Sequence, residues 1–325
     1  MPIKCIKFVS KKRQGGYGDR LIGMVAVSTV ARILNAPFQY IWEPEFMNLC
    51  TTNEFTATNE AADVKLGLGN RPFSPELETQ DLQTQWDGKT VTLEAVNLPI
   101  HKSLWKNPYL QDILKGRSFD TETLQSFQEI FSKYIQLKTP FTVSNYDCGL
   151  QIRVGDNYCM PHSMAECYIP TEQFTVLAQR MKSYLQQRGI KGSIYVTCDT
   201  FHVYKHFTAL NDTDYTFVFR DRSDDIHFDW YNSTNRYREV LEDHYTLMNC
   251  KTIITGLRSN FGTCAAYSSP SCSEIVFYLS TWKEGCTVEY KAFDSKNVLI
   301  LKEYKDHLTD GTQSSTVLVN TCAHS

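Results

Sequence analysis

The chain has 325 residues, 42% of them hydrophobic, and a formal net charge of -3 at pH 7. This length and composition predict a globular protein with a large core and two domains. The charge gives no electrostatic reason to expect a nucleic acid as partner. No run of about 18 apolar residues predicts a membrane span.

The cysteines and the N-terminus bear on the compartment. The 11 cysteines are scattered without a Cys-x-x-Cys pair, which favours reduced thiols over a disulfide framework or a zinc site. The N-terminal segment MPIKCIKFVS lacks the long apolar stretch and the small-residue cleavage site of a secretory signal. We therefore expect a cytoplasmic protein.

The first half of the chain opens with the pattern of a Rossmann-like unit. Residues 3–9 are a predicted strand, the glycine-rich segment QGGYGDR follows, and a largely apolar helix is predicted over 20–35. The segment PFQYIW is a second predicted strand. Strand, glycine loop, helix and strand in this order indicate a Rossmann-like fold. Residues 50–110 show no firm periodicity, and an amphipathic helix is predicted over 121–137.

The second half of the chain alternates between predicted strands and helices. The predicted strands are CGLQIRV, SIYVTCD, YTFVFR and KTIITG, and further β-like runs occur in EIVFYLS and VLILKEY. This series predicts a parallel sheet with helices on both faces. We expect an α/β fold of two Rossmann-like domains, residues 1–145 and 146–325, facing each other across a cleft.

Four segments of the chain lie where open α/β sheets bind ligands, beyond the carboxyl ends of strands. The glycines of the loop at 14–20 have no side chains to cover the backbone amides at the start of a helix, and such exposed amides bind anions. Arg153 lies in an apolar strand, so its guanidinium must be paired or must reach an anion. Asp199 follows a strand, and Ser259 and Asn260 precede a helix of small residues.

Each of these segments also has an ordinary structural interpretation. The glycine loop does not match Gly-x-Gly-x-x-Gly and is compatible with a tight turn. An internal ion pair with Asp156 or Asp199 would satisfy Arg153, and Asp199 would also serve as a helix N-cap. A capped helix packed on the sheet explains the small residues after Ser259 but leaves Arg258 without a role.

Together, the segments GGYGDR, QIRVGD, VTCD and RSNFGTCAA follow the order and spacing of the fucosyltransferase superfamily motifs. The chain resembles the protein O-fucosyltransferases and the α1,2- and α1,6-fucosyltransferases, including nodulation fucosyltransferase. The resemblance implies a GT-B-like fold with an N-terminal acceptor-side domain and a C-terminal nucleotide-sugar-binding domain. It also implies inverting transfer of fucose from GDP-fucose to a glycan hydroxyl, without a metal or another cofactor.

The resemblance further implies roles for individual residues. Arg153 matches the arginine that binds the β-phosphate of GDP-fucose, and Asp199 matches the acidic residue near the guanine. The other positions implied at the donor are the first-domain loop of Gly16, Gly18, Asp19 and Arg20, together with Gln151, Arg258, Ser259, Asn260 and Phe261.

The sequence departs from the family pattern at several of these positions. Gln151 replaces the usual histidine, Val154 replaces a second arginine, Asp19 replaces asparagine, and Asn260 replaces the second serine. Arg153 alone must then neutralise the negative charge of the phosphates, and the identity of the sugar is open. The candidates for the proton acceptor are Asp19, Glu43, Asp156 and Glu166, of which we favour Asp19.

Other functions stay open at this stage. A metal-dependent glycosyltransferase would use Asp212 and Asp214, but this pair precedes a strand and is better interpreted as a polar turn. A methyltransferase would use Glu43 to bind ribose hydroxyls, which leaves the second strand series unexplained. The loss of the histidine at Gln151 is compatible with an inactive glycan-binding relative, and another nucleotide sugar is a further alternative.

Overall fold

Each half of the chain builds a parallel sheet in the computed structural model, which describes residues 1–10, 16–57, 61–69, 74–95, 100–154, 169, 171–220, 234–256, 259–281 and 287–294. The chain divides into two compact units, Met1–Phe141 with Phe228–Val240, and Thr142–His227 with Leu241–Ser325. The predicted boundary lies close to Phe141. Residues 234–240, which we assigned to the second domain, belong to the first unit.

The sheet of the first unit has four parallel strands in the order β2-β1-β4-β3. The structure confirms the two strands predicted on either side of the glycine loop. It also places two strands in the segment 50–110, for which the sequence predicted none. The four strands are β1 (Cys5–Val9), β2 (Phe38–Ile41), β3 (Val64–Gly69) and β4 (Thr90–Ala95).

Helix α1 (Tyr17–Ile33) packs on one face of this sheet. It begins before the predicted residue 20, because the Asp19 carboxylate accepts a hydrogen bond from the Gly16 amide at 3.0 Å and caps the first turn. A Cβ on Gly23 would lie 2.0 Å from the Ala95 carbonyl oxygen, so α1 contacts the backbone of β4 directly. The remaining helices of this unit are α2 (Pro44–Met47), α3 (Pro75–Thr79), α4 (Leu82–Gln85), α5 (Gln111–Leu114) and α6 (Phe119–Glu129), which continues as a π-helical turn over Ile130–Tyr134.

The sheet of the second unit has the order β10-β9-β8-β5-β6-β7. Its strands pair in parallel except β10, which is antiparallel to β9. The α/β class predicted from the sequence is therefore confirmed, while the predicted strand VLILKEY lies outside the described residues. The strands are β5 (Tyr146–Ile152), β6 (Gly192–Cys198), β7 (Tyr215–Val218), β8 (Cys250–Gly256), β9 (Glu274–Thr281) and β10 (Thr287–Asp294).

In the described part of the chain four helices follow strands of this sheet, the third of them beginning in the first unit, and the order of the strands reverses at β5. From β5 the chain runs outward through β6 and β7, and then returns to place β8 and β9 on the other side of β5. The carboxyl ends of β5 and β8 therefore flank a topological switch point, where open α/β sheets bind their ligands. The helices are α7 (Phe174–Gln187), α8 (Tyr204–Thr208), α9 (Thr234–Met248) and α10 (Asn260–Ser268).

Two further expectations concern the cysteines and the membrane. The cysteines in the described part of the chain are buried thiols, and burial raises the pKa of Cys50 and of Cys250 to about 12. Such thiols are unreactive at neutral pH. Among the described helices, none combines the length and the apolar composition that a membrane crossing requires.

Candidate functional site

Arg153 lies directly after β5, at the switch point of the second sheet. Its guanidinium Nη1 is 3.1 Å from Asp199 Oδ2, and its side chain is still 37% exposed. The internal ion pair with Asp199 considered from the sequence is thus present. Because the guanidinium carries five N–H donors and remains partly exposed, it can hold this pair and also bind an anion.

Asp199 holds the turn that carries Arg153. Its Oδ2 pairs with the guanidinium, and its Oδ1 accepts a hydrogen bond from the Val154 amide at 2.8 Å. Asp199 follows β6, the strand next to β5 in the sheet. The carboxylate therefore orients the arginine, and its predicted position near the guanine stays a prediction.

Tyr278 of β9 is a third residue at this turn, and the sequence did not indicate it. Its hydroxyl accepts a hydrogen bond from the Arg153 backbone N–H at 3.1 Å. The phenol lies close to Gly256, since a Cβ on that glycine would be 3.3 Å from the Tyr278 hydroxyl oxygen. Burial raises the pKa of Tyr278 well above its usual value, so the phenol stays protonated. A tyrosine within the apolar run EIVFYLS carries no signal that distinguishes it from a core residue.

Helix α10 begins beyond β8, the strand next to β5 in the sheet. Ser259 is its N-cap residue, and the Ser259 amide donates to the Gly256 carbonyl at 2.8 Å. Phe261 packs edge-on against the His244 ring, with the ring centroids 5.4 Å apart. The amino end of a helix carries a partial positive charge, so Ser259, Asn260 and Phe261 lie at a favourable place for an anion.

Gln151, the residue in place of the usual histidine, is engaged within the protein. Its side chain is buried, its Oε1 accepts from the Thr255 hydroxyl at 2.6 Å, and its Nε2 donates to the Ile152 carbonyl at 3.2 Å. The bond with Thr255 links β5 to β8 beneath α10. A role of Gln151 toward a ligand stays a prediction. Arg258, Asp156 and Glu166 lie outside the described residues.

The predicted loop residues of the first unit make mainly structural contacts. Gly16 and Asp19 form the helix cap, and Gly18 is buried in the first turn of α1. Arg20 is fully buried, where its Nη1 pairs with Glu43 and donates to the Tyr237 hydroxyl at 2.9 Å. Glu43, considered from the sequence as a proton acceptor or a ribose ligand, is the buried partner of Arg20.

The alternative metal site contains two ion pairs. Asp212 pairs with Lys182, and Asp214 pairs with Lys191 at 3.1 Å. Both aspartates precede β7, as expected of a polar turn. Within the described ranges, no group of three or more His, Cys, Asp or Glu side chains is arranged to hold a metal ion.

Gly262 makes the close packing of α10 possible, and its replacement tests this packing. A Cβ at this position would lie 2.4 Å from the Thr255 hydroxyl oxygen and 3.2 Å from the Gln151 Cβ. We expect Gly262→Ala to cost about 1–3 kcal/mol of unfolding free energy, measured by urea denaturation, because α10 must move away from the sheet.

The matched control is Gly67→Ala in β3, where a Cβ would meet no atom within 4 Å. This variant should unfold at nearly the urea concentration of the unmodified protein. Equal midpoints for the two variants would show that α10 does not need the glycine.

Comparison with known proteins supports the fold. No family model matches the sequence, and no curated protein matches it. Among solved structures, a mutant of Arabidopsis thaliana FUT1 in complex with GDP has a TM-score of 0.57 at 11% identity, over 90% of this chain and 75% of that chain. Fucosyltransferase NodZ from Bradyrhizobium has a TM-score of 0.44 at 11% identity, over 91% of this chain and 100% of that chain. POFUT1 in complex with GDP has a TM-score of 0.42 at 11% identity, over 85% and 98%.

The similarity to FUT1 is the evidence for the architecture of this chain. It covers 90% of this chain, so the similarity to FUT1 shows that this chain has the FUT1 fold. With the two parallel sheets, it also bears out the GT-B-like fold class predicted from the sequence.

Proposed function

We propose that this chain is a glycosyltransferase that moves fucose from GDP-fucose to a glycan hydroxyl, with inversion at the anomeric carbon and without a metal. The observation that carries the proposal is the partly exposed guanidinium of Arg153 at the end of β5, with the amino end of α10 following the neighbouring strand β8. These groups are the kind that a nucleotide diphosphate requires. The FUT1 structure, which shares the fold, was solved with GDP and supports the same ligand class.

The chemistry follows from where charge develops in glycosyl transfer. The transition state resembles an oxocarbenium ion, and negative charge builds on the departing diphosphate. Without a metal, fixed protein groups must stabilise this charge. In our proposal the Arg153 guanidinium and the amides at the start of α10 bind the phosphate oxygens, while Asp199 and Tyr278 hold the turn that aims the guanidinium.

The acceptor hydroxyl attacks the anomeric carbon from the face opposite the diphosphate, which inverts the configuration. Its proton goes to a carboxylate, for which we propose Asp19. In the structure this carboxylate accepts from the Gly16 amide. Deprotonation of the hydroxyl during attack removes the positive charge that would otherwise build on the new glycosidic oxygen.

Calorimetric titration with GDP, UDP and CDP, each with magnesium and with a chelator, tests the donor class. We expect GDP to bind with the same affinity under both conditions and UDP and CDP to bind weakly. Release of GDP from GDP-fucose in the presence of a glycan acceptor then tests the transfer. Tighter binding of UDP than of GDP would indicate a UDP-sugar as donor in place of GDP-fucose. Loss of binding with the chelator would contradict the metal-free mechanism.

One observation favours a second candidate, a glycan-binding relative without transferase activity. The neutral amide of Gln151 adds no charge for the diphosphate, and it is already engaged by Thr255 and Ile152. Such a protein would bind glycans on an array equally well with and without GDP, and it would release no GDP from GDP-fucose.

A further inference from the structure

The face of the first sheet opposite α1 carries a pocket of about 470 Å³. It is lined by side chains from all four strands, by residues 42–44 after β2, and by small residues near Ala57. On β1, Ile6 and Phe8 are fully buried, and Phe8 lies beside Gly23 of α1, so the alternate residue Lys7 points to the pocket face. The volume is within the range of about 300–1,000 Å³ that is usual for small-molecule sites.

The floor of the pocket has an ordered row of polar side chains. Lys7 of β1 is paired in register with Thr92 of β4, and Thr92 is paired in register with Lys65 of β3. Neighbouring strands are about 4.8 Å apart, so the row places a hydroxyl between two ammonium groups on the same face of the sheet. Glu94 lies one step further along β4 and forms an ion pair with Lys65 at 3.1 Å.

Lys7 is the unusual member of this row. It lies in the middle of an interior parallel strand, where apolar residues are the rule, and it is only 5% exposed. Its backbone pairs with β2 and β4, but within the part of the chain that the structure describes its ammonium forms neither an ion pair nor a hydrogen bond. A buried ammonium without a counter-ion is costly, so its retention in a pocket indicates a ligand that supplies the anion.

The carboxylates that line the pocket are already neutralised. Glu94 is paired with Lys65, and Glu43 is paired with the buried Arg20. Lys7 therefore leaves one positive charge in the pocket, next to the Thr92 hydroxyl. The Ser10 hydroxyl also lines the pocket and donates to Glu43 at 3.4 Å, and its oxygen can still accept a hydrogen bond from a ligand hydroxyl group.

We propose that this pocket binds an acidic sugar, a hydroxyl-rich ring with a carboxylate or phosphate whose anionic oxygens contact Lys7 and Thr92. The pocket lies within the first unit, so its ligand can be tested whether or not the second unit binds GDP. In a transferase this site would select acceptor glycans that carry a negative charge, and this last step rests on the proposed function.

Titration calorimetry with glucuronic acid, glucose 6-phosphate, neutral glucose and inorganic phosphate tests the pocket. We expect at least one of the two acids to bind, and to bind at least tenfold more tightly than glucose or inorganic phosphate. The two acids distinguish a carboxylate ligand from a phosphate ligand. Lys7→Met should weaken binding of the preferred acid at least tenfold, and Thr92→Val should weaken it by a smaller factor.

Lys4→Met is the matched control, because Lys4 is exposed, precedes β1 and does not line the pocket. It should bind the acid as the unmodified protein does. Lys7→Met should not unfold at a lower temperature, since it removes an unpaired buried charge, and it should retain GDP binding. The proposal is wrong if neither acid binds, if glucose or inorganic phosphate binds as tightly as the preferred acid, or if Lys7→Met binds that acid normally.

Discussion

Replacing Arg20 with methionine should lower the free energy of unfolding of the first unit by about 3–5 kcal/mol, because the Glu43 carboxylate would remain buried without its cation. The side chains of Arg20 and Glu43 are 0% and 2% exposed. The Tyr237 hydroxyl accepts from Arg20 and donates to Glu43 at 3.0 Å. The change therefore also weakens the contact between residues 234–240 and the rest of the first unit.

Urea denaturation measures the loss of unfolding free energy. Hydrogen exchange of peptides from β1, α1 and β2 shows whether the loss lies in the first unit. The double variant Arg20→Met with Glu43→Gln should recover part of the loss, because the glutamine leaves no buried charge. Lys191→Met is the control, since the pair of Lys191 with Asp214 is 60% and 53% exposed and should contribute little. If Arg20→Met and Lys191→Met unfold at the same urea concentration, the buried pair does not stabilise the first unit.

Replacing Arg153 with alanine should reduce kcat/KM for fucosyl transfer roughly a hundredfold, a barrier increase of about 3 kcal/mol. The guanidinium is the group we assign to the charge that develops on the diphosphate. GDP binding, measured by calorimetry, should weaken in the same variant. Arg153→Lys should give an intermediate value, because lysine keeps the charge but loses the planar donor fork.

Arg188→Ala is the matched control for Arg153→Ala. Arg188 follows α7 and also pairs with a carboxylate, Glu274 at 2.7 Å, and its side chain is 35% exposed, close to the value for Arg153. We expect Arg188→Ala to keep both GDP affinity and turnover. A similar loss in both variants would indicate a general effect of removing a surface cation and would falsify the assignment of Arg153.

The sequence alone predicted the elements whose local pattern is strong. The apolar residues of β1, α1 and β2 and the alternation after residue 146 indicated a Rossmann-like fold, and the positions of Arg153 and Asp199 after strands indicated a site. The strands β3 and β4 were missed. Strand β3 contains Gly67 and Gly69, which are unfavourable in strands, whereas β4 alternates Thr92 and Glu94 with apolar residues, a period of two that could have indicated the strand.

Tertiary structure alone decided which distant residues meet. Arg20 and Tyr237 are 217 positions apart in the chain, and Arg153 and Tyr278 are 125 apart. Their contacts depend on strand order and register, which local periodicity does not contain. The same reason applies to Lys7, whose row with Thr92 and Lys65 exists only because β1, β4 and β3 are neighbours in one parallel sheet. Local pattern determined the elements and the order of the motifs, whereas strand pairing determined the buried ion pair, the turn that holds Arg153 and the charged pocket.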